Sequence, residues 1–364
     1  MSDTYSATGS ALDSWEGMAG HGGANPHAKP FPPARLPYVK IAGITDLSHS
    51  KTTTLHACPR KFLLKEIEGL GSFTPTVHTA FGHAYGAGVQ TFLQYAPMPP
   101  SAEQYEGIDP DWDGELYAEQ HARATRLAMI SVLSYWDMYD IDATDPTGIK
   151  SFSDAVRAVR IFIADSTELL RQYSMYTFTD VHGKQKAANE LLVYVTIADG
   201  YAVQMHIDCV LQDRDTGELA VLEIKTGSKP FERSDYENSG QSMGYCVALQ
   251  AAFGLNQVQH KSIYVCYNAK DRHTHIFEFE RTLDIGMEWT ASTLMDVTML
   301  AMYKEQGFYP KRGTACKQWG RTCEFFGTCG LSQRAQPSVQ SYNDVGIEVA
   351  DIVISSEQIL SLLG

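Results

Sequence analysis

Three charged residues, Asp208, Glu223 and Lys225, stand where apolar strands are expected. Residues 201–211 (YAVQMHIDCVL) and 219–225 (LAVLEIK) are rich in β-branched residues and flank the polar turn DRDTGE, so they read as an antiparallel hairpin. Alternation puts Glu223 and Lys225 on one face with Val221, and Leu222 and Ile224 on the other. Two carboxylates from neighbouring strands can hold Mg²⁺ or Mn²⁺ against a phosphate, with the Ile224 backbone carbonyl and water completing the shell. Lys225 can orient or deprotonate the attacking water, or stabilise charge developing on the phosphorane. That chemistry is metal-assisted phosphodiester hydrolysis. Taken alone, a D…E-x-K pattern is more often a surface hairpin with a cross-strand ion pair, so its weight comes from the residues around it.

Glu190 opens the preceding strand, 189–197, as a third acidic contributor or as a strand-edge glutamate in solvent. His206 shares a face with Asp208 two residues on, while Cys209 points the other way, into the core. Residues 77–95 read as a helix in which Gly82, Gly86 and Ala87 permit close approach of another backbone or a ligand. His83 in that helix is either a metal or phosphate contact or a plain core or surface histidine. Gln241 and Tyr245 lie four apart on a later helix, where an amide and a phenol on one face can order Lys225 or contact a nucleotide. Cys316, Cys323 and Cys329 are spaced C-x6-C-x5-C and call for a fourth ligand, for which Cys58 in its CPRKF context is the candidate. Four thiolates can hold zinc or an iron–sulfur cluster and would staple the two ends of a domain together.

The elements that must position these residues follow from patterning. With 364 residues the chain is long enough for about two domains or one elaborated core. No apolar run reaches the roughly 18 residues of a membrane span, so a soluble protein is expected. The N-terminus lacks a charged segment followed by an apolar one, which argues against secretion. Seven cysteines in a chain this long fit a reducing compartment better than a disulfide framework. A net charge of −14 argues against a broadly basic surface but not against a local basic channel. Residues 1–38 read as a flexible arm rich in Gly, Ser, Ala and Pro, with order beginning at a short strand near Val39–Ile41. Ser48 or Ser50 caps a helix, and Pro59 opens the next, with Arg60, Lys61 and Lys65 on one side and Phe62, Leu63 and Ile67 supplying apolar contacts. Two long helical segments, 115–140 and about 152–176, form an insertion spanning about 97–180. In the first, Leu116, Ala124, Leu127, Ile130, Leu133 and Trp136 mark the expected stripe. Strands at 189–197, 201–211 and 219–225, a helix ending at Gly254, a strand from 260 and a partner at 273–280 complete a core of order α-β-β-β-α-β with an added edge strand, a mixed α/β sheet.

Taken together, CPRKF, the glycine-bearing helix, Glu190, Asp208, Glu223-Ile-Lys225-Thr-Gly, Gln241-x3-Tyr245 and the three late cysteines resemble the PD-(D/E)XK nuclease superfamily over about residues 44–330. Within it they resemble the RecB-like branch with a four-cysteine cluster, which includes the AddB nuclease domain, CRISPR-associated adaptation nucleases and many bacteriophage exonucleases. The resemblance implies a restriction-endonuclease-like core over 39–330, flanked by helices, with a cysteine region at 311–330. It implies a [4Fe–4S] cluster on Cys58, Cys316, Cys323 and Cys329, joining the N- and C-terminal parts. It also implies Mg²⁺ or Mn²⁺ on Asp208, Glu223 and the Ile224 carbonyl, Lys225 as the catalytic lysine, and Gln241 and Tyr245 in support. Many relatives carry a metal-binding histidine where this chain has Gly86, so water, His83 or His206 takes its place, or metal binding is weakened.

The reading that follows is a metal-dependent DNA exonuclease of recombination or repair, phage-encoded or bacterial, working in the cytoplasm. DNA would track Arg60, Lys61, Lys65, Lys229 and Arg233, with Lys311, Arg312, Lys317 and Arg321. Two other readings are a DNA-binding scaffold subunit that keeps the fold without turnover, and a zinc-stapled structural protein. The tail, 331–364, ends in ISSEQILSLLG, where Ser355 and Gln358 can cap a short helix. That helix either docks a recombinase or helicase partner or packs back on its own domain.

Overall fold

A computed structural model describes residues 45–70, 76–106, 112–139, 148–179, 183–253, 261–318, 321–329 and 352–354. The arm 1–38, the strand expected near Val39–Ile41, the cap at Gly254 and the helix expected after Ser355 lie outside the described residues.

The chain runs β1 (Thr45–Leu47), α1 (His49–Ala57), α2 (Pro59–Phe62), a π-helical turn (Leu63–Ile67), α3 (Val77–Tyr95), α4 (Ala102–Tyr105), α5 (Gly114–Asp137), α6 (Phe152–Asp165) and α7 (Thr167–Gln172). Then come β2 (Tyr173–Met175), β3 (Thr177–Thr179), β4 (Gln185–Ala187), β5 (Asn189–Ala198), β6 (Tyr201–Asp213) and β7 (Leu219–Gly227). Helices α8 (Ser234–Glu237) and α9 (Gly240–Phe253) precede β8 (Lys261–Asn268), β9 (His273–Glu280) and α10 (Leu283–Gln306). Short strands β10 (Lys317–Gln318), β11 (Arg321–Thr322) and β12 (Ile352–Ile354) follow.

Strand β6 carries the architecture. The main sheet has the order β12-β5-β6-β7-β8-β9, with β1 and β2 also paired to β6. It is mixed: β12–β5, β1–β6 and β7–β8 are parallel, the other pairs antiparallel. One edge of β6 is covered by β5 along residues 201–209 and by β2 along 211–213. The other edge is covered by β1 only at 201–203 and by β7 only at 209–212. Between them, residues 204–208 have no strand on that edge among the described residues. This gap is where the sheet opens.

Apolar clusters fill both faces. Tyr245, Val247, Leu249, Val297 and Leu300 of α9 and α10 cover one, against Val193, Val203, Ile207 and Val221. Phe81, Tyr85, Ala124, Ala128, Val159 and Phe162 of α3, α5 and α6 cover the other, against Cys209, Leu222 and Ile263. Helix α3 begins under a Thr76 side-chain cap, and α6 under Ser151. The α3–α5–α6 contact is built on small residues: a Cβ placed on Gly88 would stand 2.7 Å from Val132 Cγ2 and 2.6 Å from Val159 Cγ2. Gly88→Ala is therefore expected to lower stability, because overpacking of about 1–3 kcal/mol outweighs the ~1 kcal/mol that alanine gains in helix propensity. A fall in the urea midpoint checks this; a rise would show that the helices part freely.

Several expectations are corrected. The segment 152–176 is not one helix: it breaks at Ser166 and ends at Gln172, and Tyr173–Met175 joins the sheet, so the insertion is not helical to 180. On α5 the buried positions are Ala124, Ala128 and Val132, while Leu116, Ile130 (59% exposed) and Leu133 face out. The buried stripe is set by alanines that let α3 approach, not by the largest side chains. Ile67 is exposed, whereas Phe62 is fully buried. The tail is not wholly separate from the domain, since Ile352–Ile354 pairs with β5 and Ile354 is 1% exposed in the core.

Candidate active site

The hairpin β6–β7 delivers Asp208 and Glu223 to the end of its ladder. Pairing stops at Cys209↔Leu222, and one more step of the same register sets Asp208 opposite Glu223. On the other side, the pairs Asn189↔Cys209 and Leu191↔Ile207 bracket Glu190 and Asp208. Three carboxylates thus stand in one row across β5, β6 and β7. The pleat slips at this row: Met205 and Ile207 pack in one cluster, Cys209 and Leu211 in the other, and Val210 returns to the first. Glu190 has a positive φ of 48°, a left-handed conformation that non-glycine residues seldom hold.

Where the β-ladder ends, side chains complete the hydrogen bonding. The Ile224 N–H donates to Asp208 Oδ2 at 2.7 Å. Lys225 Nζ donates to Glu223 Oε1 at 2.5 Å and to Gln241 Oε1 at 3.0 Å. Gln241 Nε2 donates to Glu223 Oε1 (2.8 Å) and to the Tyr245 hydroxyl (2.7 Å), which donates to the His206 carbonyl (2.5 Å). Gln90 on α3 spans the other side, its Nε2 donating to Glu190 Oε1 (2.5 Å) and to the Asp208 carbonyl (3.2 Å).

One atom is left over. Glu223 is 3% exposed, and its Oε2 is buried with no hydrogen-bond partner among the described residues. Burial pushes the Asp208 carboxyl well above its usual range, with the Glu223 and Glu190 charges adding to the shift. Glu223 is raised too, by burial that its contacts with Lys225 only partly offset. For Lys225, burial favours the neutral amine, but Glu223 outweighs it and holds the ammonium above its ordinary value. A buried carboxylate oxygen beside a second carboxylate disfavoured by like charge is a set of hard oxygen donors whose chemistry fits Mg²⁺ or Mn²⁺.

Two clefts meet here. One, of about 780 Å³, lies between α3 and the sheet and is lined by Gly82, His83, Gly86, Gln90, Tyr135 and Glu190 among others. The second, of about 860 Å³, lies among α1, α9 and α10, with His49, Thr53, Gln241 and Trp289 in its wall. His206, Asp208 and Lys225 line both. His83 bonds through Nδ1 to the Tyr139 hydroxyl. His206 Nε2 stands 3.0 Å from Gln204 Nε2. Burial and Lys225 together lower the His49 pKa.

The structure thus brings together Glu190, His206, Asp208, Glu223, Lys225, Gln241 and Tyr245. It does not bring the expected DNA contacts: none of Arg60, Lys61, Lys65, Lys229 or Arg233 lines either cleft, and among the described residues Lys225 is the only lysine or arginine that does. Arg233 instead donates to the Glu278 carbonyl at 2.7 Å and lies over the Phe279 ring. Sequence reading missed Gln90, Tyr135 and Trp289. Gln90 had one signal, a polar residue four positions after Gly86 on the small-residue helix.

The four candidate cysteines lie away from this row. Backbone and side-chain bonds tie the CPRKF segment to the C-terminal stretch: the Arg60 N–H to the Pro310 carbonyl (3.2 Å), Arg312 Nη1 to the His56 carbonyl (2.6 Å) and Lys61 to Glu324 (3.6 Å). The Cys323 N–H donates to the Cys316 carbonyl at 2.9 Å. All four thiols are free. Burial raises the Cys329 thiol, with Lys311 opposing and the nearby Cys58 and Cys316 adding to the shift. Among the described residues, no three His, Cys, Asp or Glu side chains stand close enough together to hold a metal ion as placed.

Comparison with known proteins gives one family. The model of the PD-(D/E)XK nuclease superfamily matches residues 46–330. No curated protein matches the chain. Among solved structures, a protein from Eubacterium rectale named as a candidate exonuclease aligns with 9% identity and a TM-score of 0.43, over 79% of this chain and 94% of that one.

Proposed function

The chain belongs to the PD-(D/E)XK nuclease superfamily, and we propose that it is a divalent-metal-dependent deoxyribonuclease that works as an exonuclease at DNA ends. The observation that carries this reading is the unpartnered, buried Glu223 Oε2 beside Asp208 and the Lys225–Gln241 pair. Asp208, Glu223 and the Ile224 carbonyl would hold Mg²⁺ or Mn²⁺, which supplies Lewis-acid polarisation of the phosphate. Lys225, bonded to Glu223 and Gln241, would stabilise charge on the phosphorane and orient or deprotonate the attacking water. Gln241 sets the direction of Lys225: its Nε2 is committed to Glu223 and Tyr245, which turns its carbonyl oxygen to the ammonium. Water adds to phosphorus and gives up one proton, the bond to the leaving oxygen breaks, and that oxygen takes up one proton.

The two clefts give the DNA strand an approach on either side of the row. We assign flanking phosphate contacts, beyond the clefts, to Arg60, Lys61, Lys65, Lys229 and Arg233. The test is degradation of end-labelled linear and of circular DNA by anaerobically purified protein with Mg²⁺ or Mn²⁺. Loss of linear DNA alone, abolished by a chelator, is expected. Equal loss of circles would make the enzyme an endonuclease, and DNA binding without degradation under any metal would leave a scaffold subunit.

The RecB-like, AddB-type branch is part of the same proposal, with a [4Fe–4S] cluster on Cys58, Cys316, Cys323 and Cys329. Free thiols from both ends of the domain, with Cys329 within electrostatic reach of Cys58 and of Cys316, support it. Cys58→Ser is expected to remove the brown chromophore and the bound iron and to destabilise the domain; one zinc and no iron in the wild type would replace the cluster with a zinc staple. We place the enzyme in recombination or repair, in the cytoplasm of a bacterium or phage-infected cell, and assign docking of a recombinase or helicase to the chain after β12.

A further inference from the structure

We propose that the cleft among α1, α9 and α10 is the pocket for the terminal nucleoside of the strand, whose base stacks on the Trp289 ring. This deepens the nuclease reading above and rests on it. The indole runs along α9 on two glycines one turn apart: a Cβ on Gly244 would stand 2.6 Å from Trp289 Cζ2, and one on Gly240 would stand 3.8 Å from its Cδ1. Those glycines adjoin Tyr245 and Gln241 in the chain, and Gln241 Oε1 accepts from Lys225 Nζ at 3.0 Å. The ring therefore lies beside the group that orients the ammonium facing the scissile phosphate. Trp289 is partly buried and lines the cleft, and among the described residues no other ring and no cation stacks on it.

The lining chemistry selects one nucleoside over a longer stretch of strand. At about 860 Å³ the cleft falls within the range that takes small ligands. Among the described residues Lys225 is its only lysine or arginine, which provides for one phosphate. His49 adds no charge at neutral pH, since burial and then Lys225 lower its pKa. Ser292 and Gln204 offer a hydroxyl and an amide to the edges of base and sugar. On the α10 wall stand the carboxylates of Glu288 and Asp296, the latter held by His56 at 2.6 Å. A strand continuing past the pocket would carry its next phosphate toward that negative wall, so the pocket accepts a chain end, with the rest of the strand in the cleft under α3. Mononucleotides are the expected product.

The test is kcat/KM for the first cleavage by the full chain, with Mg²⁺ or Mn²⁺, on single-stranded and duplex oligonucleotides. These end in a normal nucleotide or in an abasic sugar, at the 5′ or the 3′ end. Base–aromatic stacking predicts that the wild type cuts the intact end about 5- to 100-fold faster than the abasic one, at whichever end it attacks. Trp289→Ala should lose that factor on the intact end only, and Trp289→Phe, which keeps a ring, should retain most of it. Equal rates on intact and abasic ends in the wild type overturn the pocket and leave the nuclease reading standing. A Trp289→Ala protein slowed alike on both ends does the same, because it marks a helix-packing role. No cleavage of any substrate by the wild type overturns both.

Discussion

Asp208→Asn is expected to lower DNA hydrolysis by at least about 10³-fold and yet to make the metal-free protein melt higher than the wild type. Activity falls because one of the two buried carboxylates that would hold the metal is gone. Stability rises because the place of Asp208 disfavours its charge, through burial first and then through Glu223 and Glu190. The native carboxyl lies above its unfolded value, so the native state binds the proton more tightly. Stability therefore falls as pH rises from the ordinary carboxylate range through the raised native pKa, and stays low above it. Asparagine keeps the shape and can still accept the Ile224 N–H while removing that penalty. A rise of about 2 °C or more at neutral pH is expected, with the gap from wild type closing as pH is lowered. Added Mn²⁺ should stabilise only the wild type. A metal-free Asp208→Asn protein that melts lower than wild type would mean that the row is not electrostatically strained.

Lys225→Met is expected to lower turnover about 10²–10³-fold, but with the opposite effect on stability. It removes the cation 2.5 Å from Glu223 and leaves a nearly inaccessible carboxylate with Gln241 as its remaining donor. Breaking a fully buried pair costs about 3–5 kcal/mol; the Lys225 side chain is 33% exposed, so water screens it and about 1–3 kcal/mol is the fitting figure. The loss should be largest near neutral pH and smaller in acid, where Glu223 takes up a proton. In the wild type, the Lys225 contribution is present below the unfolded lysine pKa and is lost only as alkaline pH passes the raised native value. Two inactive variants whose melting temperatures move in opposite directions separate a charge-strained site from a general packing defect. Shifts of the same sign would refute it.

Elements with strong local signals were legible. The helix expected at 77–95 runs Val77–Tyr95 under its Thr76 cap, and the strand expected at 273–280 runs His273–Glu280. The segments β1, β2 and β12 were not, because three residues carry too little pattern of their own and are strands only through β6 or β5. The buried face of α5 was misplaced for a related reason. Alanine contributes little to an apolar pattern, and its value at positions 124 and 128 depends on a partner helix that brings Gly88 against Val132.

By itself the sequence determined the chemistry on offer: carboxylates at 208 and 223, an ammonium two residues on, an amide and phenol at helical spacing, and four separated cysteines. Those follow from residue type and from the local periods of strand and helix. Only the tertiary structure decided that Glu190 joins the row, that Gln90 holds it there, that Glu223 keeps one oxygen unpaired, and that the five basic residues expected to meet DNA stand outside the clefts. Each of these depends on where β6 loses its neighbour between β1 and β7, and a gap in pairing is a property of three strands at once, which no local pattern in any one of them records.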